Sequence, residues 1–416
     1  MTSAGWLLPT VAFPAEMSQG SMLAKACAAL PIPAVPRCLI YPRGDRTATS
    51  ADYLLIADVV RNTSTLSPGP FQMIDWGLLH EQAAVVPYQQ AAWNRLQYDE
   101  NSRCLALRPF WVREVVAWIG ELGLVNSTSP LHKIVIYRAT AQRAVVSAVV
   151  GERMLHFKAD TAQPFVDAEV TQLVAAVRPA LTVPTRAFDS RRGWWLTDHV
   201  EGVPLRGDLW PAHLQAVEGW CDLQRSLQGH HQALESAGVT RLSREVLIAA
   251  AHRACDAVDA GRDDRQFTTT MNRVQRLLDV PTFRASPQGL LHFDAAGRNI
   301  LWTPDGSVFL DLESACIGPV IICGELMGRR MKEELTLVQR AELSIRGATA
   351  SLCHSGALSL THSPEHISAL TDLCLLADHQ RRQQAEAHIA IDESSLEYAW
   401  QRVSRDFLNR VNNWRL

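Results

Sequence analysis

Between residues 134 and 159 three apolar runs follow one another almost without a break: 134–138, 144–150 and 153–159. They are short and rich in strand-favouring side chains, and Gly151-Glu152 separates the last two as a tight turn. Residues 165–177 then change period, placing Val166, Val170, Leu173, Val174 and Val177 on one face of a helix. A further strand is expected at 194–200, and from Pro211 the pattern is mostly helical. Strands gathered first and helices afterwards exclude a doubly wound parallel sheet, which needs regular strand–helix alternation. They place the chain in the α+β class.

The rest of the chain is read around that change. Residues 1–36 are rich in Ala, Pro and Ser and form an expected loose leader. Strands are expected at 38–41 and 53–60 and a loop at 61–70. Residues 111–122 put Trp111, Val115, Trp118, Ile119 and Leu122 on one helical face, a packing stripe. Residues 126–130, Asn-Ser-Thr-Ser-Pro, read as a linker. The expected units are therefore a leader at 1–36, an accessory α+β domain at 37–128, a β-rich lobe at 131–200 and a helical lobe at 201–416. Within the helical part, residues 291–312 stand out as a loop leading into a hairpin, with strands at 300–302 and 307–310 around the turn Thr303-Pro304-Asp305-Gly306.

Composition narrows the class. Forty Lys and Arg against 43 Asp and Glu exclude a generally basic nucleic-acid binder. Nine cysteines with no C-x-x-C pair read as reduced thiols, without a disulfide framework or zinc site, so a cytoplasmic protein is expected. The first positive charge is Lys25 and Pro9 breaks the short apolar patch at 6–13, so no signal peptide is expected. No apolar run reaches the about 18 residues of a membrane span, and no membrane partner is expected. The pair His230-His231 has no partner at metal spacing and reads as surface polar residues.

The chemistry concentrates in one stretch. Leu291-His292-Phe293-Asp294-Ala295-Ala296-Gly297-Arg298-Asn299 contains H-x-D-x-x-x-x-N, and after the hairpin comes Leu310-Asp311-Leu312-Glu313. This combination resembles the aminoglycoside phosphotransferase and choline kinase family, the small-molecule branch of the protein-kinase-like fold. The resemblance covers about residues 131–330 by motif and reaches the C-terminus only as a helical lobe. It implies a two-lobed fold, a β-rich N-lobe and a helical C-lobe, here preceded by a small N-terminal domain. It also implies transfer of the γ-phosphoryl group of ATP, with GTP possible, to a hydroxyl of a small molecule in the presence of Mg²⁺.

Phosphoryl transfer needs positioning and charge neutralisation more than covalent chemistry. Asp294 suits the carboxylate that orients the acceptor hydroxyl and takes its proton late. Asp311 suits the carboxylate that holds Mg²⁺ against the phosphates, and Asn299 adds a neutral amide oxygen to the metal shell. The same resemblance assigns Lys158, on the third β-rich run, to the α- and β-phosphates, and Glu169, on the next helix, to the ion pair that positions such a lysine. Residues 193–205 resemble the hinge, whose backbone near Asp198 and Val200 would seat the base. Ala139-Thr140-Ala141-Gln142 would be the phosphate-covering turn, with Thr140 and backbone N–H groups in place of glycines. His292 is expected to brace the loop. Glu313 is open between assisting the metal and capping, and Arg298 between approaching the substrates and facing solvent.

Two departures from the pattern bear on function. Phe293 stands where protein kinases carry arginine, which argues against a protein kinase. The family's aspartate after a G-x-P element is missing at Gly318-Pro319-Val320-Ile321-Ile322-Cys323-Gly324-Glu325, and whether Glu325 replaces it is left open. The acceptor stays open among aminoglycosides, other antibiotics, sugars and amino alcohols. The second half leans acidic, and Asp263-Asp264 or Asp392-Glu393 would suit a polycation. Arg329-Arg330 and Arg381-Arg382 would equally suit an anion. The rival reading is a pseudokinase that binds nucleotide without turnover. The protein is expected to be a monomer or homodimer.

Overall fold

The computed structural model describes residues 34–40, 54–59, 111–126, 128–139, 143–160, 165–258, 264–353, 363–387 and 393–414. In chain order the elements are β1 (Ala34–Ile40), β2 (Leu54–Val59), α1 (Trp111–Glu121), β3 (Leu131–Ala139), β4 (Arg143–Val150), β5 (Arg153–Asp160), α2 (Val166–Val177), β6 (Thr185–Asp189), β7 (Trp194–Asp198) and β8 (Val203–Pro204). There follow α3 (Trp210–Ser226), α4 (His231–Ser236), β9 (Thr240–Arg241), α5 (Arg244–Val258), α6 (Asp264–Asp279), α7 (Pro281–Ala285) and β10 (Gln288–His292). The chain closes with β11 (Ile300–Thr303), β12 (Gly306–Phe309), β13 (Ala315–Pro319), α8 (Cys323–Arg330), α9 (Leu337–Cys353), α10 (Pro364–Ala387) and α11 (Glu393–Asn412). Its described residues divide into two compact units, Met1–Ala162 with Thr185–His199, and Gln163–Pro184 with Val200–Leu416.

The first unit is a five-stranded antiparallel sheet in the order β3-β4-β5-β7-β6. Alternation along β5 turns Leu155, Phe157 and Ala159 into the core and leaves His156 and Lys158, both half-buried, on the opposite face. The buried stripe of α1, Trp111, Val115, Trp118 and Ile119, packs into that same core. Trp118, Phe157 and Trp194 meet edge to face at 5.5–5.8 Å. The helix expected in a separate accessory domain thus shares its core with the sheet. Where a linker is expected, Asn126 Oδ1 accepts from the N–H groups of Thr128 and Ser129 at 2.9 Å. Leu122, read as part of the stripe, lies past the helix end and is exposed. β1 and β2 pair antiparallel, close to the strands expected there, while the loop at 61–70 and most of the leader lie outside the described residues.

The second unit is mainly helical around two small sheets, β10-β13-β9 and β12-β11-β8. Pro211 opens α3, where its missing N–H costs nothing. Trp220 and Gln224 of α3 donate to the carbonyl of Leu290 at 3.0 and 2.8 Å, fixing β10 against the helix. α2, expected to travel with the β-rich lobe, clusters here instead. Val170 and Val174 join the helical core, and the first-turn carboxylate of Asp167 is buried in it. The pairing of β10 with β13, Leu291 opposite Cys316 and His292 opposite Ala315, was not legible as a strand pair. Its residues are buried apart from Gln288 and carry no alternation to betray them. The hairpin appears where expected, with Thr303 facing Gly306 across Pro304-Asp305. Among the described residues no helix is long and apolar enough to cross a membrane. Cys221, Cys255, Cys316, Cys323 and Cys374 are buried.

Candidate functional site

The end of β10 and the hairpin are stitched together by short bonds. His292 Nε2 donates to the carbonyl of Leu310 at 3.0 Å, and the Leu310 N–H donates to the carbonyl of Asn299 at 2.8 Å. These two links bring Asp311 back beside the loop that carries Asp294 and Asn299. Asn299 is itself buried, and its Nδ2 donates to both the backbone oxygen and Oδ2 of Asp294, at 2.8 and 2.9 Å. The amide nitrogen is thus committed to Asp294, which leaves Oδ1 as the group free to act as a ligand. Asp294 also receives Arg298 at 3.0 Å, from a guanidinium that is mostly exposed. A pair so open to water contributes little stability, so Arg298 is a solvated partner that a substrate could displace.

Gly297 in the loop packs tightly against the carbonyl of Leu205, where any Cβ would collide with backbone. The two segments also exchange a bond, Leu205 N–H to Gly297 O at 3.0 Å. Glycine is therefore demanded by close approach and not by an unusual φ.

Asp311 adopts the left-handed conformation at φ 60° and ψ 56°. It is the one non-glycine with positive φ among the described residues. Such backbone costs of order 1–3 kcal/mol and persists only where the surroundings enforce it, a situation typical of functional positions. Here the neighbouring residue is anchored: the Leu312 N–H donates to Oδ1 of Asp167 at 2.6 Å, in the buried interior. Sequence reasoning missed Asp167, which lies within the expected helix at 165–177 but off its apolar face. A buried aspartate in a helix's first turn leaves no mark in periodicity.

His292 braces the loop, as expected. Its ring lies 5.7 Å from that of Trp220 and 6.5 Å from that of Phe309, and Nδ1 has no hydrogen-bond partner among the described residues. Burial pushes its pKa down to about 4, although Asp311 and Asp294 both pull it up. The ring is neutral at pH 7. Because the folded-state value lies below the unfolded 6.5, the unfolded chain takes up the proton first as pH falls. The protein should hold its full stability above about pH 6.5 and lose up to about 3 kcal/mol between about pH 6.5 and 4 from this group. Urea denaturation at stepped pH should show that decline, and His292→Asn should flatten it.

Lys158 sits on the central strand β5, between Val145 and Trp195 in register, on the face opposite Phe157. Glu169 lies in the first turn of α2, its carboxyl pKa raised by partial burial. Asp198 closes β7 and receives Arg186 at 2.6 Å, and the strand ends there instead of continuing to Val200. Ala139 ends β3, and the rest of the expected covering turn, Thr140 to Gln142, lies outside the described residues, as do Asp263 and Asp392. Phe293 is fully buried. Glu325 belongs to α8 and accepts from Arg329 at 2.8 Å, while Arg329 also reaches Asp372 and Ser368 of α10. The Glu325 carboxylate therefore engages Arg329 on its own helix, and it is Arg329 that links α8 to α10.

The donor set suits Mg²⁺. Among the described residues no group of three or more His, Cys, Asp or Glu is arranged to hold a metal ion. A hard cation held by one carboxylate, one amide oxygen and substrate phosphates needs no such cage.

Residues 157–322 match the phosphotransferase enzyme family. Among solved structures, the macrolide 2'-phosphotransferase MphH from Brachybacterium faecium is 12% identical over 71% of this chain and 98% of its own, with a TM-score of 0.50. The choline kinase LicA from Streptococcus pneumoniae is 11% identical over 72% of this chain and 99% of its own, with a TM-score of 0.47. The kanamycin and GDP complex of APH(2")-IIIa is 11% identical over 73% and 100%, with a TM-score of 0.48. No curated protein sequence matches the chain. The α+β architecture, a β-sheet lobe and a helical lobe, is that of the kinase-like fold.

Proposed function

We infer that this chain, a small-molecule kinase whose residues 157–322 match the phosphotransferase enzyme family, transfers the γ-phosphoryl group of a nucleoside triphosphate to a hydroxyl of its acceptor. ATP is the proposed donor, with GTP as the variant, and Mg²⁺ the proposed metal. The observation that carries the reading is the clamp of Asn299 Nδ2 on the carboxylate and carbonyl of Asp294, which leaves one amide oxygen and one carboxylate for separate tasks.

In this reading Asp294 orients the acceptor hydroxyl and receives its proton as the bond to phosphorus forms. Asn299 Oδ1 and the Asp311 carboxylate hold Mg²⁺, which when bound neutralises charge on the phosphates. Lys158 supplies the cation for the α- and β-phosphates and Glu169 the carboxylate that such a lysine needs. The backbone near Asp198 and Val200 seats the base. A nucleotide-binding role without turnover is favoured by no observation, since each of these positions carries the residue type that turnover needs.

The test is ADP release from Mg-ATP over hydroxyl acceptors that include aminoglycosides, macrolides, choline, hexoses and homoserine. Stimulation by an acceptor is expected. A protein whose melting temperature is unmoved by Mg-ATP and that releases no ADP would refute the reading.

A further inference from the structure

We propose that the acceptor carries an anionic group, carboxylate or phosphate, and that Arg330 and Arg382 hold it beside Asp294. The proposal rests on the phosphotransferase reading and specifies its substrate.

α8 packs directly on the catalytic strand: Leu326 and Met327 line a small cavity together with His292 and Ala295. One turn later the helix ends at Arg330. The two adjacent arginines there have opposite circumstances. Arg329 is saturated by Glu325, Asp372 and Ser368. Arg330 is half-buried, makes no hydrogen bond or ion pair among the described residues, and its Nε is shut off from solvent. It lies close enough to Asp294, Arg298, Asp378 and Arg382 to feel the charge of each. Asp378 is buried against the same strand pair, its Oδ1 4.0 Å from Cys316 Sγ, and Cys316 is the register partner of Leu291. That carboxylate already serves two cations, Arg381 and Arg382, each at 2.8 Å. Arg382 Nε is likewise buried without a hydrogen-bond partner.

Arg298 pairs with Asp294, and Arg381 and Arg382 with Asp378, while Arg330 pairs with neither; Asp311 and Glu334 are the further carboxylates at this loop. A half-sequestered guanidinium with no carboxylate of its own is costly unless something anionic completes it. Guanidinium forks match carboxylates and phosphates with paired N–H donors, which gives geometry as well as charge.

The experiment uses acceptors that share a carbon frame and carry an anionic, neutral or cationic group at one position: glucose 6-phosphate, glucose and glucosamine, and glycerate, glycerol and serinol. ADP release from Mg-ATP is measured with each. The anionic member of at least one triple should exceed its neutral partner in kcat/KM by about 10- to 100-fold. The better triple distinguishes phosphate from carboxylate. That ratio should collapse toward one in Arg330→Gln and shift toward the cationic member in Arg330→Glu, with Arg382→Gln as a second probe. The ratio is internal to each variant, so a general loss of fold or turnover leaves it interpretable. Wild-type preference for the neutral or cationic members, or a ratio unmoved in Arg330→Gln, would overturn the assignment. Mg-ATP binding, seen as a raised melting temperature, with no stimulation by either anion would overturn it as well. Absence of Mg-ATP binding would instead remove the phosphotransferase reading, and this assignment with it.

Discussion

Asp294→Asn should lower turnover by about 10²- to 10⁴-fold while leaving nucleotide binding nearly intact. The substitution is chosen for what it preserves. An asparagine side chain still offers an oxygen to Asn299 Nδ2, so the loop keeps its clamp, and the backbone acceptor of that clamp is untouched. What disappears is the negative charge and the capacity to take the acceptor's proton. In a loose transition state the proton leaves late, so part of the effect comes from lost orientation of the hydroxyl and not from lost basicity. Steady-state ADP release gives kcat, and the Mg-ATP-induced rise in melting temperature reports binding. A kcat within about tenfold of wild type would remove Asp294 from the role assigned to it. Loss of the melting shift together with kcat would mean that the loop had been disrupted.

The second large effect is expected at a residue that touches no substrate. Asp167→Ala removes the acceptor of the Leu312 N–H, leaving a buried donor unpaired next to Asp311. The stability cost is about 1–3 kcal/mol. The functional cost should be larger in its consequences, because Asp311 at φ 60° is anchored through the Leu312 amide. Loss of a group that orients a metal ligand commonly weakens metal affinity by about 10- to 100-fold. The Mg²⁺ concentration for half-maximal ADP release should rise by that amount, with a smaller change at saturating Mg²⁺. Asp167→Asn keeps a carbonyl oxygen for the Leu312 N–H and should restore most of the metal dependence. If both variants lose stability alike while the Mg²⁺ requirement stays put, Asp167 is only a core residue.

Much of the local structure was legible in the residues. Short apolar runs around Gly151-Glu152, the first of them rich in valine, became β4 and β5, and Thr303-Pro304-Asp305-Gly306 became the hairpin turn, because strand and turn preferences act within a few residues. The helix at 165–177 was legible from its apolar period and came out as Val166–Val177. The loop with Asp294 and Asn299 was legible because its chemistry is packed into one short segment. The features that escaped involve partners distant in sequence. β10 and β13 are separated by the whole hairpin, and being buried on all sides they show no alternation. The unit to which α2 belongs depends on Val170 and Val174 finding the helical core and on Asp167 finding Leu312, far along the chain.

The sequence by itself determined the α+β class, the residue types of the catalytic loop and the family that those types resemble, since each depends on neighbours along the chain. Only the tertiary structure decided that Asp311 is left-handed, that Asp167 secures the residue after it, and that Arg329 is saturated while Arg330 is not. The physical reason is that burial and charge balance are sums over everything packed around a group. Two adjacent arginines have the same propensities and the same intrinsic charge. What separates them is which carboxylates the fold brings within reach of each, and no local pattern contains that information.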